Sequence, residues 1–350
     1  MQDNSASPSY LLIAIFIFCL SLALSVGLTL LARKIAPWLG LIDRPGGRRK
    51  HPYDVARLGA LPLWGAFTIT ALIAHPLIPG TDPNEVIRLT GLLLGGTFLF
   101  FFGLLDDRFD LPGVVQGIAQ IVAAGIGVAF LIFIQFFNNP LTRETVELPY
   151  LLIIIVSMFW LGLMMNTVNF LDGVDGVAGG VTVIASALLF IHTLIEGQLS
   201  VSLLPMALIG TAIGFLLFNW HPASIFMGSG AIFLGYTLGA LAIIGGAKMA
   251  TILLVMGLPL LDLTWQGARR LLTGKNPLVG DRGHLHFRLI DAGVSPRWIA
   301  VGYYVFCAAF GALALLTTSR QFKLIALVIM VVLVLVGFAL VARFRKLPES

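Results

Sequence analysis

Residues 149–176 read PYLLIIIVSMFWLGLMMNTVNFLDGVDG and join an apolar run to a polar end. The apolar part is long enough to cross a bilayer, which takes about 20 residues. The polar end carries two carboxamides, Asn166 and Asn169, and two carboxylates, Asp172 and Asp175, between glycines. Carboxylates at the edge of a bilayer are costly without a partner, and a hard divalent cation is a natural one. The stretch therefore predicts a membrane helix that ends in a cation or phosphate site.

The whole chain has the composition of a membrane protein. Of its 350 residues 58% are hydrophobic and 11% are charged, against roughly 25% charged residues in soluble domains. Cys19 and Cys307 both lie in apolar runs, which argues against a disulfide framework and a cysteine-based metal site. The first apolar run, 10–31, is longer than a signal-peptide core and has no basic residue before it. We therefore expect a retained first helix.

Hydropathy predicts an all-α, polytopic membrane protein with about eleven transmembrane helices, on the requirement of about 20 apolar residues each. The eighth and ninth helices are the hardest to separate, because only residues 245–250 lie between them. The predicted spans are 9–32, 58–79, 86–105, 113–137, 149–168, 176–195, 199–218, 230–247, 249–267, 298–318 and 322–343.

The distribution of basic residues predicts the orientation. With the N-terminus outside and the C-terminus in the cytoplasm, 17 of the 22 Lys and Arg residues fall in inside loops, as the positive-inside rule requires. The net charge of +5 then reflects topology and an anionic membrane or substrate. No nucleic-acid-binding module is visible in the sequence.

All dense polar clusters fall in loops that this orientation places in the cytoplasm. We take them as one candidate active site, and the loops are about 33–57, 106–112, 169–176, 219–230 and 268–297. This one-sidedness favours an enzyme with a cytosolic substrate. A transporter or flippase more often carries ionisable residues at mid-membrane depth, and the predicted spans are nearly free of them.

The acidic clusters have simpler alternatives. Asp106 and Asp107 could be a solvated helix end, but adjacent acids at a helix C-terminus oppose the macrodipole, which favours a functional role. Asp172 and Asp175 are three residues apart and would share a face of a helical turn. The alternative for them is a glycine-rich turn with Asx caps.

The remaining clusters are more ambiguous. The basic run 48–50 suits either a membrane anchor or a phosphate contact. Asn219 and Phe226 suit either packing within their loop or contact with a nucleobase. The histidines of the last loop, His284 and His286, could be ordinary loop residues or could hold a phosphate or diphosphate together with Arg282 and Arg288. A zinc site is a poor alternative, because no Cys and no acidic i+4 partner is near them.

In this order, the five clusters resemble the motifs of the polyprenyl-phosphate N-acetylhexosamine-1-phosphate transferases, the WecA/MraY family. The resemblance covers almost the whole chain, and the Asp-Arg-Phe-Asp-Leu stretch and His loop are more similar to the branch that uses UDP-N-acetylglucosamine. The matching segments are Asp-Arg-Pro…Arg-Lys-His with Arg57-Leu58-Gly59, the stretch 105–111, Asn-x-x-Asn-x-x-Asp-Gly-x-Asp-Gly, Phe-Asn-x-x-Pro-Ala…Phe-Met-Gly, and Asp-Arg-Gly-His-Leu-His.

The resemblance implies a single transmembrane transferase domain over residues 1–350. It would move N-acetylhexosamine-1-phosphate, with N-acetylglucosamine the first choice, from a UDP-sugar to undecaprenyl or another polyprenyl phosphate and release UMP. This would be the first membrane step of a cell-envelope polysaccharide such as lipopolysaccharide or teichoic acid. The resemblance further implies a bacterial cell membrane, a site that faces the cytoplasm, contact with membrane lipids, and a possible homodimer.

The resemblance also implies roles for individual residues. Mg²⁺, with Mn²⁺ as an alternative, would be bound through Asp172, Asp175 and Asp107. Asp106 or Asp107 would orient or deprotonate the lipid phosphate, or one Asp would act as a covalent nucleophile. The implied contacts with uracil are Asn219 and Phe226, and those with the diphosphate or sugar are Arg282, His284, His286 and Arg288. A second phosphate would contact Arg48, Arg49, Lys50 and His51. Asn166 and Asn169 are further implied substrate contacts.

Three positions depart from the family pattern. Ser229 follows Met227-Gly228 where the family has an Asp that binds metal. Gln116 stands where Lys is usual, and Phe287 where a further His is usual. These departures keep two alternatives open: a degenerate relative that binds nucleotide-sugar or lipid phosphate without turnover, and an activity of the phospho-N-acetylmuramoyl-pentapeptide transferase type.

Overall fold

The computed structural model describes residues 8–44, 54–139, 144–246, 249–274, 283–317 and 319–344. Two short hairpins occur, one of β1 (Ile42–Asp43) and β2 (Val55–Ala56) and one of β3 (Phe136–Asn138) and β4 (Thr145–Glu147). All other regular structure is helical. The described residues form helices α1 to α13: Pro8–Leu39, Ala60–Ala74, Glu85–Phe109, Gly113–Ala129, Tyr150–Leu171, Val177–Ile195, Leu199–Asn219, Gly230–Ile244, Met249–Val255, Gly257–Leu272, Leu285–Asp291, Pro296–Leu316 and Arg320–Phe344, with a 3-10 turn at His75–Leu77.

The predicted all-α, polytopic fold class is confirmed, since each of the eleven predicted spans overlaps helix. Among the described residues, eight helical segments are long and apolar enough to cross a bilayer: Pro8–Leu39, Ala60–Leu77, Glu85–Phe109, Tyr150–Leu171, Val177–Ile195, Leu199–Asn219, Pro296–Leu316 and Gln321–Phe338. Helices α4 and α8 are apolar but shorter. The protein is therefore a multi-pass membrane protein.

The fourth predicted span, 113–137, was too long. Helix α4 ends at Ala129, and Leu131 adopts a positive φ of 63°. The chain then continues as an extended segment, where the backbone N–H of Ile134 donates to Ser157 Oγ at 2.8 Å before β3 begins. Hydropathy missed this end because an apolar extended segment and an apolar helix are equally hydrophobic.

The ninth predicted span, 249–267, is two helices, α9 and α10. Pro259 lies in the first turn of α10, where its missing N–H is not needed. A continuous helix would place that ring against the carbonyl of Val255, so the proline sets the break. Helix α10 is two-sided: Asp262 and Gln266 are buried, whereas Trp265 and Leu272 are exposed.

Helix α8 is the centre of the bundle. It packs against α2, α3 and α5, and every residue in it except Ile243 is buried. Its close approach to α5 depends on Gly235, where a side-chain carbon would lie 2.5 Å from the backbone oxygen of Met164. Trp160 Nε1 of α5 donates to the carbonyl of Gly239 at 3.1 Å. Because other helices enclose α8, their packing fixes the position of its first residues in the bundle.

Polar groups gather at the two ends of the bundle. At one end of α3, Arg88 pairs with Asp82 at 2.6 Å and Ser200 Oγ donates to Glu85 at 2.9 Å. The opposite end of α3 carries Asp106 and Asp107. The described parts of the predicted active-site loops meet at this second end.

The tight contact at Gly235 predicts a stability loss. We expect Gly235→Ala to destabilise the protein by about 1–3 kcal/mol, the usual cost of overpacking, because the new methyl group meets backbone and not a mobile side chain. Gly125→Ala in α4 is the matched control, since a side-chain carbon there has open space around it. Thermal unfolding of both variants in one detergent measures the difference. Equal unfolding temperatures would contradict the packing described for α8.

Candidate active site

Asp107 lies at the centre of the site. Its side chain is 1% exposed and belongs to the last turns of α3. Ser229 donates to it twice, from the backbone N–H at 3.1 Å and from Oγ at 2.7 Å. Arg57 Nε lies 3.2 Å from the other carboxylate oxygen. The carboxylate is thus held by two donor groups from segments far apart in sequence.

The start of α8 explains the contact between Ser229 and Asp107. Ser229 is the N-cap residue of α8, and helix N-termini present unpaired N–H groups that favour anions. Gly228 precedes it with φ +57°, and a side-chain carbon there would lie 2.7 Å from Asp107 Oδ2. Only glycine allows this backbone to approach the carboxylate so closely.

Arg57 is positioned by a backbone connection between two segments. Ala56 and Ile225 form a parallel bridge, and the backbone N–H of Phe226 donates to the carbonyl of Ala56 at 2.8 Å. Arg57 follows immediately, and its NH1 group also pairs with Asp110 at 3.0 Å. Arg57 therefore bridges two carboxylates at the end of α3.

Asp106 has a different environment from its neighbour. Its Oδ1 atom accepts hydrogen bonds from Gln116 Nε2 at 2.9 Å and from the backbone N–H of Leu111 at 3.2 Å. Within the described part of the chain, its Oδ2 atom has no hydrogen-bond partner. One oxygen of Asp106 is thus fixed by the protein and the other is available.

Asp172 and Asp175 lie in a turn and not on a helix, so the predicted shared helical face is wrong. Asp172 caps the C-terminus of α5, and α6 starts only at Val177. Asp175 Oδ2 contacts His221 Nδ1 at 2.7 Å and accepts from the Ala223 N–H at 3.1 Å. The flanking glycines prevent a continuous helix, as Gly176 takes a φ of 79°.

Asp172 carries the least compensated charge of the cluster. Burial raises the pKa of Asp172 well above its usual range, and the carboxylates of Asp175 and Asp107 raise it further. Arg57 and the backbone N–H of Gly228 act in the opposite direction without cancelling the effect. A further positive charge at this position would therefore stabilise the ionised carboxylate.

The donor set suits Mg²⁺ better than zinc. Among the described residues, no group of three His, Cys, Asp or Glu side chains is arranged to hold a metal ion. Zinc sites use at least three such protein ligands. Mg²⁺ is commonly held by one or two carboxylates together with substrate phosphates and water. Asp172, with Asp107 nearby, meets that smaller requirement.

Asn219 does not have the free amide that a uracil contact would need. It is 2% exposed; its Oδ1 accepts from the Gly176 N–H at 3.1 Å and its Nδ2 donates to the Ile225 carbonyl at 2.9 Å. Its amide thus ties the acidic turn to the segment before α8. Phe226, which follows Ile225, has a partly buried ring, and its contact with the base stays a prediction.

The other predicted carboxamides differ in their bonding. Asn166 Nδ2 donates to Gln120 Oε1 at 2.7 Å and to the Gly162 carbonyl at 2.8 Å, which connects α5 to α4. Asn169 is partly exposed and makes no hydrogen bond with the described residues. Of the two, Asn169 is the one with an amide free for a substrate.

The histidine loop reaches the acidic turn. A side-chain carbon on Gly173 would lie 2.5 Å from His286 Nε2, so this imidazole lies directly against the turn. His284 and His286 stack in parallel, with ring centroids 5.6 Å apart. Burial lowers the pKa of His286 to about 4, so its ring is neutral at physiological pH. Five predicted site residues, Arg48, Arg49, Lys50, His51 and Arg282, lie outside the described residues.

Two residues that hold this loop were not predicted from the sequence. Asp262 Oδ2 lies 3.1 Å from His284 Nδ1, and Gln266 Nε2 donates to the carbonyl of Gly283. Both lie within the ninth predicted span, which was taken as a membrane helix nearly free of charge. The available signal was an Asp and a Gln four residues apart in that span, which places them on one helical face.

Comparison with known protein families finds a match. The profile of glycosyl transferase family 4 matches residues 89–246, which include most of α3, all of α5 and α8, and the acidic turn. This segment is therefore similar to glycosyl transferase family 4. The matched range contains the four predicted catalytic acids, whereas Arg57 and the histidine loop lie outside it.

Relatives match most of the chain. The probable undecaprenyl-phosphate N-acetylglucosaminyl 1-phosphate transferase of Bacillus subtilis (strain 168) is 28% identical over 91% of this chain and 88% of its own length. The undecaprenyl-phosphate alpha-N-acetylglucosaminyl 1-phosphate transferase of Escherichia coli (strain K12) is 26% identical over 90% and 89%. The decaprenyl-phosphate N-acetylglucosaminephosphotransferase of Mycolicibacterium smegmatis is 29% identical over 80% and 76%.

The departures from the family pattern now have structural descriptions. Ser229, where the pattern has Asp, uses its hydroxyl and backbone N–H to bind Asp107. Gln116, where Lys is usual, donates to Asp106 but supplies no charge. Phe287 packs its ring 4.4 Å from that of His286. The site of this protein therefore has one carboxylate and one cation fewer than the pattern.

Because Asp107 is buried, we expect Arg57 to contribute more to the free energy of unfolding than Arg88, which is equally exposed. Arg57 and Arg88 are both 27% exposed, but their partners, Asp107 and Asp82, are 1% and 36% exposed. We expect Arg57→Gln to cost about 1–3 kcal/mol, because it leaves a buried carboxylate without its cation. Arg88→Gln should cost under about 1 kcal/mol, as for exposed ion pairs. Unfolding of both variants in one detergent tests this, and equal losses would contradict it.

Proposed function

We propose that this protein transfers N-acetylglucosamine-1-phosphate from UDP-N-acetylglucosamine to a polyprenyl phosphate and releases UMP. The relatives that match most of the chain carry names with this phosphosugar and with undecaprenyl or decaprenyl phosphate acceptors. The observation that carries the proposal is the group of Asp106, Asp107 and Asp172 around Arg57 at one end of a membrane-embedded bundle. Such a group suits a reaction between two anionic phosphates.

The main demand of this reaction is charge neutralisation. The attacking lipid phosphate and the donor diphosphate repel each other, so cations must offset their charge in the transition state. Asp172 and Asp107 would hold Mg²⁺, which when bound would neutralise the diphosphate and stabilise the leaving UMP. Arg57 fixes the position of Asp107, and the Gly228 N–H fixes that of Asp172.

The acceptor would approach Asp106 from the bilayer. Leu105 and Phe109 of α3 and Val114 of α4 are exposed apolar side chains around Asp106, and a polyprenyl tail can lie along such a face. The lipid phosphate would then meet Oδ2 of Asp106, the oxygen that the protein leaves available. Asp106 would orient the phosphate or accept its proton, since Gln116 and the Leu111 N–H hold its other oxygen.

The donor would occupy the opposite side of the acidic turn. The uracil would stack on Phe226, and Asn169 offers a free amide next to the turn. His284, His286 and Arg288 would contact the diphosphate or the sugar from the last loop, with the sequence-predicted Arg282 and residues 48–51 as further phosphate contacts. A homodimer stays a prediction from the resemblance.

UMP release is the direct test of the transferase function. We expect release from UDP-N-acetylglucosamine that requires undecaprenyl phosphate, stops with EDTA and returns with added Mg²⁺. Asp172→Asn should lower it by about 100-fold or more, the usual effect of losing a charge-stabilising group. Asp82→Asn at the opposite end of the bundle is the matched control and should retain activity. Faster release from UDP-N-acetylmuramoyl-pentapeptide would instead support the other branch.

Ser229 favours a second candidate function, a degenerate relative that binds its substrates without turnover. A hydroxyl cannot supply the charge of the carboxylate that the family pattern places there. In that case the wild-type chain binds but does not convert several UDP-N-acetylhexosamines. Insertion of Asp between Gly228 and Ser229 should then raise UMP release, whereas insertion of Asn should not. An active wild-type protein excludes this candidate.

The proposed site faces the cytoplasm of a bacterial cell membrane, and labelling tests this orientation. With Cys19 and Cys307 replaced by Ala, Ala292→Cys reports the active-site end and Thr81→Cys the opposite end; both positions are exposed. We expect a membrane-impermeant maleimide to label Thr81→Cys in intact spheroplasts and Ala292→Cys only after lysis. The reverse pattern would overturn the orientation.

A further inference from the structure

Helix α10 contains two buried polar side chains that the proposed reaction does not use. Asp262 and Gln266 are each 4% exposed and lie one helical turn apart. A carboxylate and a carboxamide on a buried helix face are costly unless they are hydrogen-bonded. Their partners therefore indicate why this face is polar.

Among the described residues, the hydrogen bonds of this pair go to three consecutive residues of the last loop. Gln266 Nε2 donates to the carbonyl of Gly283. Asp262 Oδ2 lies 3.1 Å from His284 Nδ1, and its Oδ1 accepts from the N–H of Leu285 at 3.0 Å. Residues 283–285 are thus attached to α10 through both backbone and side chain. We call Asp262 and Gln266 the α10 clamp.

A chain of side-chain contacts connects the α10 clamp to the acidic turn. The ring of His284 lies 4.8 Å from that of Phe170, at the end of α5, and stacks in parallel on His286. His286 in turn lies against Gly173, next to Asp172. A shift of His284 would therefore be transmitted to the residues around the proposed phosphate site.

We propose that the α10 clamp positions His284 for phosphosugar transfer, with Asp262 as a positioning residue that fixes the imidazole tautomer. This inference rests on the proposed transferase function. A carboxylate accepts only, so a neutral His284 next to Asp262 carries its proton on Nδ1 and leaves Nε2 as an acceptor. The same logic holds for carboxylate–histidine pairs in other enzymes, where the carboxylate sets the orientation and tautomer of the ring.

Asp262→Asn separates positioning from mere packing. The Leu285 N–H needs an acceptor, so the Asn oxygen would stay with it and the NH₂ group would face His284 Nδ1. His284 would then move its proton to Nε2, while the size of the side chain and the backbone contact are kept. The variant changes the tautomer with little change in shape.

Kinetics give the first readout. We expect kcat for UMP release to fall by about 10- to 100-fold, the usual effect of losing a group that orients a histidine. KM for UDP-N-acetylglucosamine and the unfolding temperature should change little. Asp82→Asn, which breaks an ion pair at the opposite end of the bundle, should leave both kinetic parameters unchanged. An unchanged kcat in Asp262→Asn, or a fall explained by a matching loss of folded protein, would overturn the proposal.

The second readout does not depend on activity. In protein labelled with ¹⁵N-histidine, the His284 signals are assigned by their loss in His284→Gln. We expect the wild-type nitrogen shifts to report the Nδ1–H tautomer and those of Asp262→Asn the Nε2–H tautomer. The Nε2–H tautomer in the wild type would overturn the proposal. Wild-type protein without UMP release would overturn the transferase function instead, and the nitrogen shifts alone would then decide whether Asp262 sets the tautomer.

Discussion

The site depends on one constraint, the need to satisfy the buried carboxylate of Asp107 inside an apolar bundle. An ionised carboxylate with 1% exposure is unstable there without donors and a cation. Arg57 supplies the cation, and Ser229 at the start of α8 supplies the donors. Satisfying this one group draws the chain before α2, the end of α3 and the start of α8 to a common point. The acidic turn after α5 then joins the same point through Asn219.

Much of this arrangement follows from the sequence. The eleven predicted apolar spans include all eight described helices that are long and apolar enough to cross a bilayer. The polar clusters predicted that Asp106, Asp107 and the acidic turn belong together. What the sequence did not reveal is how individual groups are bonded. Asn219 was expected to face a substrate, but tertiary contacts use both ends of its amide. Asp262 was hidden because a membrane span is judged by its mean hydropathy, and one buried acid hardly changes that mean.

The same charges that organise the fold also create the conditions for chemistry. Of the carboxylates in the cluster, Asp107 and Asp175 have strong partners, whereas Asp172 has little more than a backbone N–H. The cluster is therefore short of positive charge, which is the state that favours a divalent cation with a phosphate-bearing substrate. The polar face of α10 extends this arrangement, since Asp262 and Gln266 hold residues 283–285, and His284 stacks on His286 against the turn.

The burial of α8 restricts where this chain can gain or lose residues near the site. Each residue added to or removed from a helix turns everything beyond it by about 100°. A helix enclosed on all sides cannot accept such a rotation, because Tyr236 and Gly235 would lose their places against α3 and α5. We therefore expect the site to tolerate an insertion or deletion in the few residues before Ser229 and not within α8. Changes in that stretch can alter the side chains at the site without changing how α8 packs against its neighbours.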